Sequence, residues 1–147
     1  VSAITKGIQV SVETTYQPDF SNPQQHHYVF TYKVRIENKS NHTVQLLRRR
    51  WEIYDATETR KIVEGDGVVG QQPILEPGES HTYVSGCNLK SGIGKMRGSF
   101  TFEKLMDGKL MEIVIPEFQL IPPFFKINAP KFFAIASAYF KHWLRKE

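Results

Sequence analysis

Tyr28-Val29-Phe30-Thr31-Tyr32-Lys33-Val34-Arg35-Ile36-Glu37 is the stretch whose reading decides the fold. Tyr28, Phe30, Tyr32, Val34 and Ile36 fall on one parity, and Thr31, Lys33, Arg35 and Glu37 on the other. A period of two is that of a β-strand with one face in a core and the other in water. A helix would scatter the same apolar residues around its axis. The stretch therefore predicts an antiparallel sheet with one buried side.

The same period continues on both sides. Upstream, Ile8, Val10 and Val12 alternate with Gln9, Ser11 and Glu13. Downstream, the polar turn Asn38-Lys39-Ser40-Asn41 leads into a strand over about 43–54. Its phase slips at Leu46-Leu47: Val44 and Leu46 keep one parity, while Leu47, Arg49, Trp51 and Ile53 keep the other. One extra residue, a β-bulge, produces such a slip. Residues 55–78 read as loop-rich, with Gly65, Gly67, Gly70, Pro73 and Pro77-Gly78, and room for a short strand at Lys61-Ile62-Val63. Strands follow over about 79–85, 98–103 and 110–115, the last two joined by the hairpin signal Asp107-Gly108. Phe118 and Leu120 carry the alternation past Pro116. About seven short strands with frequent turns predict an all-β protein, a two-sheet antiparallel β-sandwich of immunoglobulin or fibronectin type III-like kind. Phe30, Tyr32, Trp51, Phe100 and Phe102 are its expected core.

After Pro122-Pro123 the period changes from two to that of a helix. Phe132, Phe133, Ile135, Ala136, Tyr139, Phe140, Trp143 and Leu144 fill one half of a helical wheel, opposite Ser137, Lys141 and Arg145. The chain thus divides into a sandwich domain, 1–128, and a C-terminal amphipathic helix, 129–147. An apolar face holding Phe132, Ala136, Tyr139 and Trp143 is expected to dock on protein: the sandwich itself, a sister subunit or another chain. Contact with a membrane surface is the less favoured alternative.

Composition narrows the function classes. The net charge is +4 over 147 residues. The tail carries Lys131, Lys141, Arg145 and Lys146 against Glu147, so the body is almost balanced. Such a body does not suggest the basic face that a nucleic-acid partner requires. One cysteine, Cys87, excludes an intrachain disulfide and a cysteine-rich metal site. A reducing compartment, the cytoplasm, is the simplest reading. The start of the chain lacks the apolar run of a signal peptide.

Four segments carry a family resemblance. They are Arg50-Trp51-Glu52-Ile53-Tyr54-Asp55, the long block from Val63-Glu64-Gly65-Asp66-Gly67 to Leu75-Glu76-Pro77-Gly78-Glu79, Tyr83-Val84-Ser85-Gly86, and Gly94-Lys95-Met96-Arg97-Gly98-Ser99-Phe100. Together with Ile115-Pro116-Glu117-Phe118 they resemble the ApaG family over roughly residues 2–128. The resemblance implies a fibronectin-like sandwich. It also implies an indirect link to cobalt and magnesium efflux, and protein binding of the kind seen in related domains of eukaryotic F-box proteins. It carries over no catalytic residue, and the family's chains usually end near residue 128.

Gly65-Asp66-Gly67-Val68-Val69-Gly70 matches G-x-G-x-x-G. That pattern binds dinucleotides where a helix begins inside it, and here Pro73 follows instead. A nest of backbone amides could still hold an anion, with Arg48 and Arg50 nearby. In a strand Arg49 points opposite to both and shares the face of Trp51. His26 and His27 are adjacent and face apart, and no Cys/His cluster has metal-ligand spacing. Ser85-Gly86-Cys87 lacks the strand-turn-helix setting of a nucleophile elbow. The sequence therefore reads as a non-catalytic protein- or ligand-binding module without cofactor or metal. The alternative is a phosphate- or nucleotide-binding protein using Gly65, Gly67, Gly70, Arg48 and Arg50. The first predicts an exposed apolar patch or an open sheet edge, the second converging amides and an arginine.

Overall fold

The computed structural model describes residues 1–57 and 59–127. Its strands are β1 (Ser2–Thr5), β2 (Ile8–Tyr16), β3 (Tyr28–Asn38), β4 (Val44–Asp55), β5 (Arg60–Asp66), β6 (Ile74–Leu75), β7 (Ser80–Leu89), β8 (Gly94–Lys104) and β9 (Lys109–Leu120). A short helix, α1 (Pro123–Ile127), follows β9. The helix expected over 129–147, with Phe132, Ala136, Tyr139 and Trp143, lies outside the described residues.

Two sheets form, ordered β1-β2-β3-β7 and β5-β4-β8-β9, with β6 beside β5 on the start of β4. Every pairing is antiparallel. The inner parity of β2 and β3, from Ile8, Val10 and Val12 to Phe30, Tyr32, Val34 and Ile36, meets that of β4, β8 and β9 in one core. All five expected core aromatics are buried there. Trp51 is the bridge: its ring lies 5.2 Å from Tyr32, 5.8 Å from Phe118 and 6.4 Å from Phe100. Edge-on ring pairs of this kind add to what area burial alone contributes.

Two bulges set which side chains turn inward. On β4 the pairing moves from Leu46 opposite Phe102 to Arg48 opposite Thr101, leaving Leu47 as the extra residue, where the parity slip places it. Without it Arg50 and Glu52 would face the core; with it Arg49, Trp51 and Ile53 do. On β9, Pro116 and Glu117 together oppose Arg97, so Ile115 and Phe118 both point inward. A proline is tolerated at such a bulge because the ladder is already interrupted.

Residues 55–78 are less loop-like than expected. β5 spans seven residues, so Gly65 and Asp66 belong to a strand paired with β4, not to a loop. The short strand expected at Lys61-Ile62-Val63 lies inside β5, whose full length shows no clear period because charged Arg60, Lys61, Glu64 and Asp66 fall on both parities and its inward side offers only Val63 and Gly65 as part-buried residues.

The two lateral sides of the sandwich differ. On one, β1 packs against β9, and the Val114 N–H donates to Thr5 Oγ1 at 3.2 Å. On the other, β7 and β5 each have a free edge among the described residues, and the space between the sheets opens to solvent.

Candidate binding groove

The open side holds a groove of about 270 Å³ lined by β7 and β5, with β3 and β4 behind them. Its floor is Tyr32, Trp51, Ile53 and Val63; Arg49 and Lys61 supply cations, and Ser85 and Asn88 supply polar groups. Among the described residues no carboxylate lines it. A second hollow of similar size shares Ile53, Lys61 and Asn88 and runs on to Asp55 and Lys90. The Asp55 carboxylate is spent on the turn after β7, accepting from the Lys90 and Ser91 amides and the Ser91 hydroxyl. The mouth is therefore a cationic slot over an apolar floor.

The bulge at Leu47 sends Arg49 into this slot, and Gly65 makes room for it. A Cβ on Gly65 would stand 2.9 Å from an Arg49 guanidinium nitrogen. Through that gap Nη1 of Arg49 donates to the carbonyls of Asp66 and Gly67, both at 3.0 Å. Two anchored bonds hold the guanidinium in place while its other N–H groups stay available.

The β7 wall holds Ser85 and Cys87, and Tyr83 shares their face of the strand. Burial pushes the Cys87 thiol up to about 12, with Lys61 opposing slightly. Burial also raises the Tyr32 phenol, against a hydrogen bond with Ser85 and the charge of Arg49. Tyr83 is raised for the same first reason, with Tyr32 adding and Arg49 opposing. Its hydroxyl is buried and has no hydrogen-bond partner among the described residues. A buried phenol left unsatisfied costs free energy.

The residues of the G-x-G-x-x-G match serve the backbone. The amides of Gly67, Val68 and Gln71 donate to the carbonyls of Leu47, Gln71 and Val68. Val69 and Gly70 have φ of 48° and 74°, the hand of a two-residue hairpin turn with both central residues left-handed. Gly67, at φ 64°, also lies so close that a Cβ would strike the Gln71 carbonyl. Arg48 and Arg50 do not join Gly70. Arg48 pairs with Asp66 at 2.7 Å on the open surface, and Arg50 pairs with Glu52 at 2.7 Å and Glu64 at 3.1 Å. Arg49 sits in the groove between the sheets, whereas Arg50 borders a separate, more open hollow with Glu52, Arg97 and Glu117 on the outer face of the second sheet.

Glu52 organises the outer face of the second sheet. Its carboxylate accepts from Arg50, Arg97 and the Tyr54 hydroxyl and pairs with Arg60 at 3.1 Å. Burial works to raise its pKa, but the bonds from Arg50, Tyr54 and Arg97 and the charge of Arg97 outweigh it and hold the group at about 2. Among the described residues no group of three His, Cys, Asp or Glu side chains is placed to hold a metal ion. No helix there is long and apolar enough to cross a membrane.

Sequence reading placed Arg49 beside Trp51 but did not find Lys61, Ser85 or Asn88 as partners. They meet only because β7 and β5 border the same gap, a non-local fact. The signal that could have raised β7 was its ten residues without a charge.

Comparison with known proteins gives one answer. The family described as ApaG domain (DUF525) matches residues 18–104. Protein ApaG of Brucella canis is 47% identical over 122 residues, covering 83% of this chain and 93% of that protein. Protein ApaG of Paramagnetospirillum magneticum is 45% identical over the same shares. The crystal structure of the putative ApaA protein from Bordetella pertussis superposes with a TM-score of 0.76 at 46% identity, covering 79% of this chain and 94% of that one.

Proposed function

This chain belongs to the ApaG domain family, and we propose that it works as a non-catalytic binding module whose ligand seat is the groove between β7 and β5. The observation that supports this reading is the lining: Arg49 and Lys61, no carboxylate among the described residues, and a floor of Tyr32, Trp51, Ile53 and Val63. Such a seat selects a ligand that presents an apolar body and a carboxylate or other anion. At about 270 Å³ it lies below the usual range for small-molecule pockets and suits one or two side chains rather than a nucleotide. The glycine turn adds no second reading, because the amides of Gly67, Val68 and Gln71 are already paired.

The reading involves no chemical step. Cys87 is held as a thiol, the form that is neither nucleophile nor metal ligand. A free thiol fits a reducing compartment such as the cytoplasm. Any link to cobalt and magnesium homeostasis would then run through the bound partner.

Saturation-transfer measurements with 4-phenylbutyrate and 4-phenylbutylamine test the charge rule on the full chain. The carboxylate should bind in the low millimolar range, at about 0.3 kcal/mol per non-hydrogen atom, and the amine should not. Lys61→Glu leaves Arg49 facing a carboxylate and should abolish the preference. Equal binding of acid and amine, or a preference untouched by Lys61→Glu, would overturn the proposal.

A further inference from the structure

The four sheet edges are not protected alike. Exposed edges recruit foreign strands, and natural proteins blunt them with charges, prolines, bulges or short length. β1 is four residues long. β9 carries Pro116 at a bulge, with Lys109, Glu112 and Glu117. β5 carries Arg60, Lys61, Glu64 and Asp66. β7 has none of these devices: Ser80-His81-Thr82-Tyr83-Val84-Ser85-Gly86-Cys87-Asn88-Leu89 holds no lysine, arginine, carboxylate or proline. Its register with β3 runs unbroken from Tyr28 opposite Leu89 to Glu37 opposite Ser80.

The pairing also shows which backbone groups of β7 are free. The Asn38 N–H donates to the Glu79 carbonyl at 2.9 Å, next to the Glu37–Ser80 pair. In an antiparallel ladder bonded and non-bonded pairs alternate, so His81, Tyr83, Ser85 and Cys87 bond to β3. Thr82, Val84, Gly86 and Asn88 then turn their N–H and C=O groups to the unpaired side. Val84 is 55% exposed there.

Resting on the groove as the ligand seat, we infer that β7 takes an added strand: an extended peptide from a partner protein that puts an acidic side chain into the mouth groove. A strand laid beside β7 sends every second side chain over the gap between the sheets, toward Arg49, Lys61 and Trp51. Backbone pairing then supplies affinity and the groove supplies selectivity. Charge decides between occupants. A second copy paired through its own β7 would bring no carboxylate on that strand and would set Arg49 and Lys61 near their own duplicates. The nearest acids of the opposite wall, Glu64 and Asp66, are already paired with Arg50 and Arg48.

The test selects binders to the full-length chain from a displayed library of random dodecapeptides. Enriched sequences should share a proline-free stretch of alternating residues with an acid on one parity. In a synthetic version, N-methylation at alternate positions should abolish binding, and at the intervening positions leave it intact, a pattern that needs no change to the protein. Val84→Pro removes one outward N–H, leaves the bonds to β3, and should weaken binding by about tenfold or more with little change in melting temperature. Enrichment of nothing, indifference to the parity of N-methylation, or equal affinity for a folded Val84→Pro protein would overturn strand addition. So would a wild-type dimer that Val84→Pro converts to monomer, which assigns the edge to a second copy. If strand addition fails while Lys61→Glu still abolishes the preference for phenylbutyrate, the groove stands without it; if both fail, so does the seat.

Discussion

Glu52 and Trp51 are neighbours in sequence and have opposite fates, and a single residue, Leu47, decides which is which. The bulge turns the indole into the core and the carboxylate outward, where Arg50, Arg60 and Arg97 gather on it. Parity made this legible, since Leu46-Leu47 breaks the alternation visibly. The arginine cluster was not legible, because Arg60 and Arg97 arrive from β5 and β8. The Glu52 carboxyl sits at about 2 against an ordinary 4.5, so its charged form stabilises the fold. That contribution is complete above the ordinary value and is lost as pH falls through about 2. The difference in unfolding free energy between wild type and Glu52→Gln should be flat from about pH 5.5 to 8 and then shrink toward pH 2, by up to about 3 kcal/mol. Urea unfolding across that range measures it, and a difference that does not change with pH would show that the arginines do not hold Glu52 ionised. Cys87 moves the other way. With its thiol near 12, iodoacetamide at pH 8 should modify it on the order of 10³-fold more slowly than a free cysteine, and mass spectrometry of timed samples reads this directly.

Among elements, the strands with one wet face were readable, the edge strands β7 and β9 included, whereas only Lys61-Ile62-Val63 of β5 was expected and β6 was missed. β3 alternates cleanly because one side is core and the other water. β5 and β6 lie at the border of the second sheet and are charged on both parities or too short to show a period. The glycine block between them drew attention for a ligand it does not need. Gly65 clears the Arg49 guanidinium, Gly67 accepts a left-handed conformation against the Gln71 carbonyl, and Gly70 closes a tight turn. The residue out of place is Val69, β-branched and at φ 48° with its side chain 64% exposed. A valine there is strained by on the order of 1 kcal/mol, whereas Asn-Gly is the preferred pair for this turn. Val69→Asn should therefore raise stability by about 0.5–1 kcal/mol in thermal or urea unfolding. A loss of stability would mean that Val69 makes a contact worth more than its strain.

At the scale of the molecule, the fold class and the core were written in the alternation, but the site was not. Which strands border the sandwich depends on the pairing of β3 with β7 and of β4 with both β5 and β8, contacts separated by tens of residues. Only that order makes one side closed, by β1 on β9, and leaves the other open between β7 and β5. The open side collects Arg49, Lys61 and Trp51, and among the described residues it alone has a long uncharged edge. The account stands on the claim that this mouth is where the protein binds. An amide-shift map of the full-length, isotope-labelled chain during titration with 4-phenylbutyrate tests that claim most directly. The account predicts shifts that saturate together at Tyr32, Arg49, Trp51, Lys61 and residues 85–88. Shifts gathered instead at residues 65–70, or around Glu52 and Arg97 with the mouth silent, would contradict it.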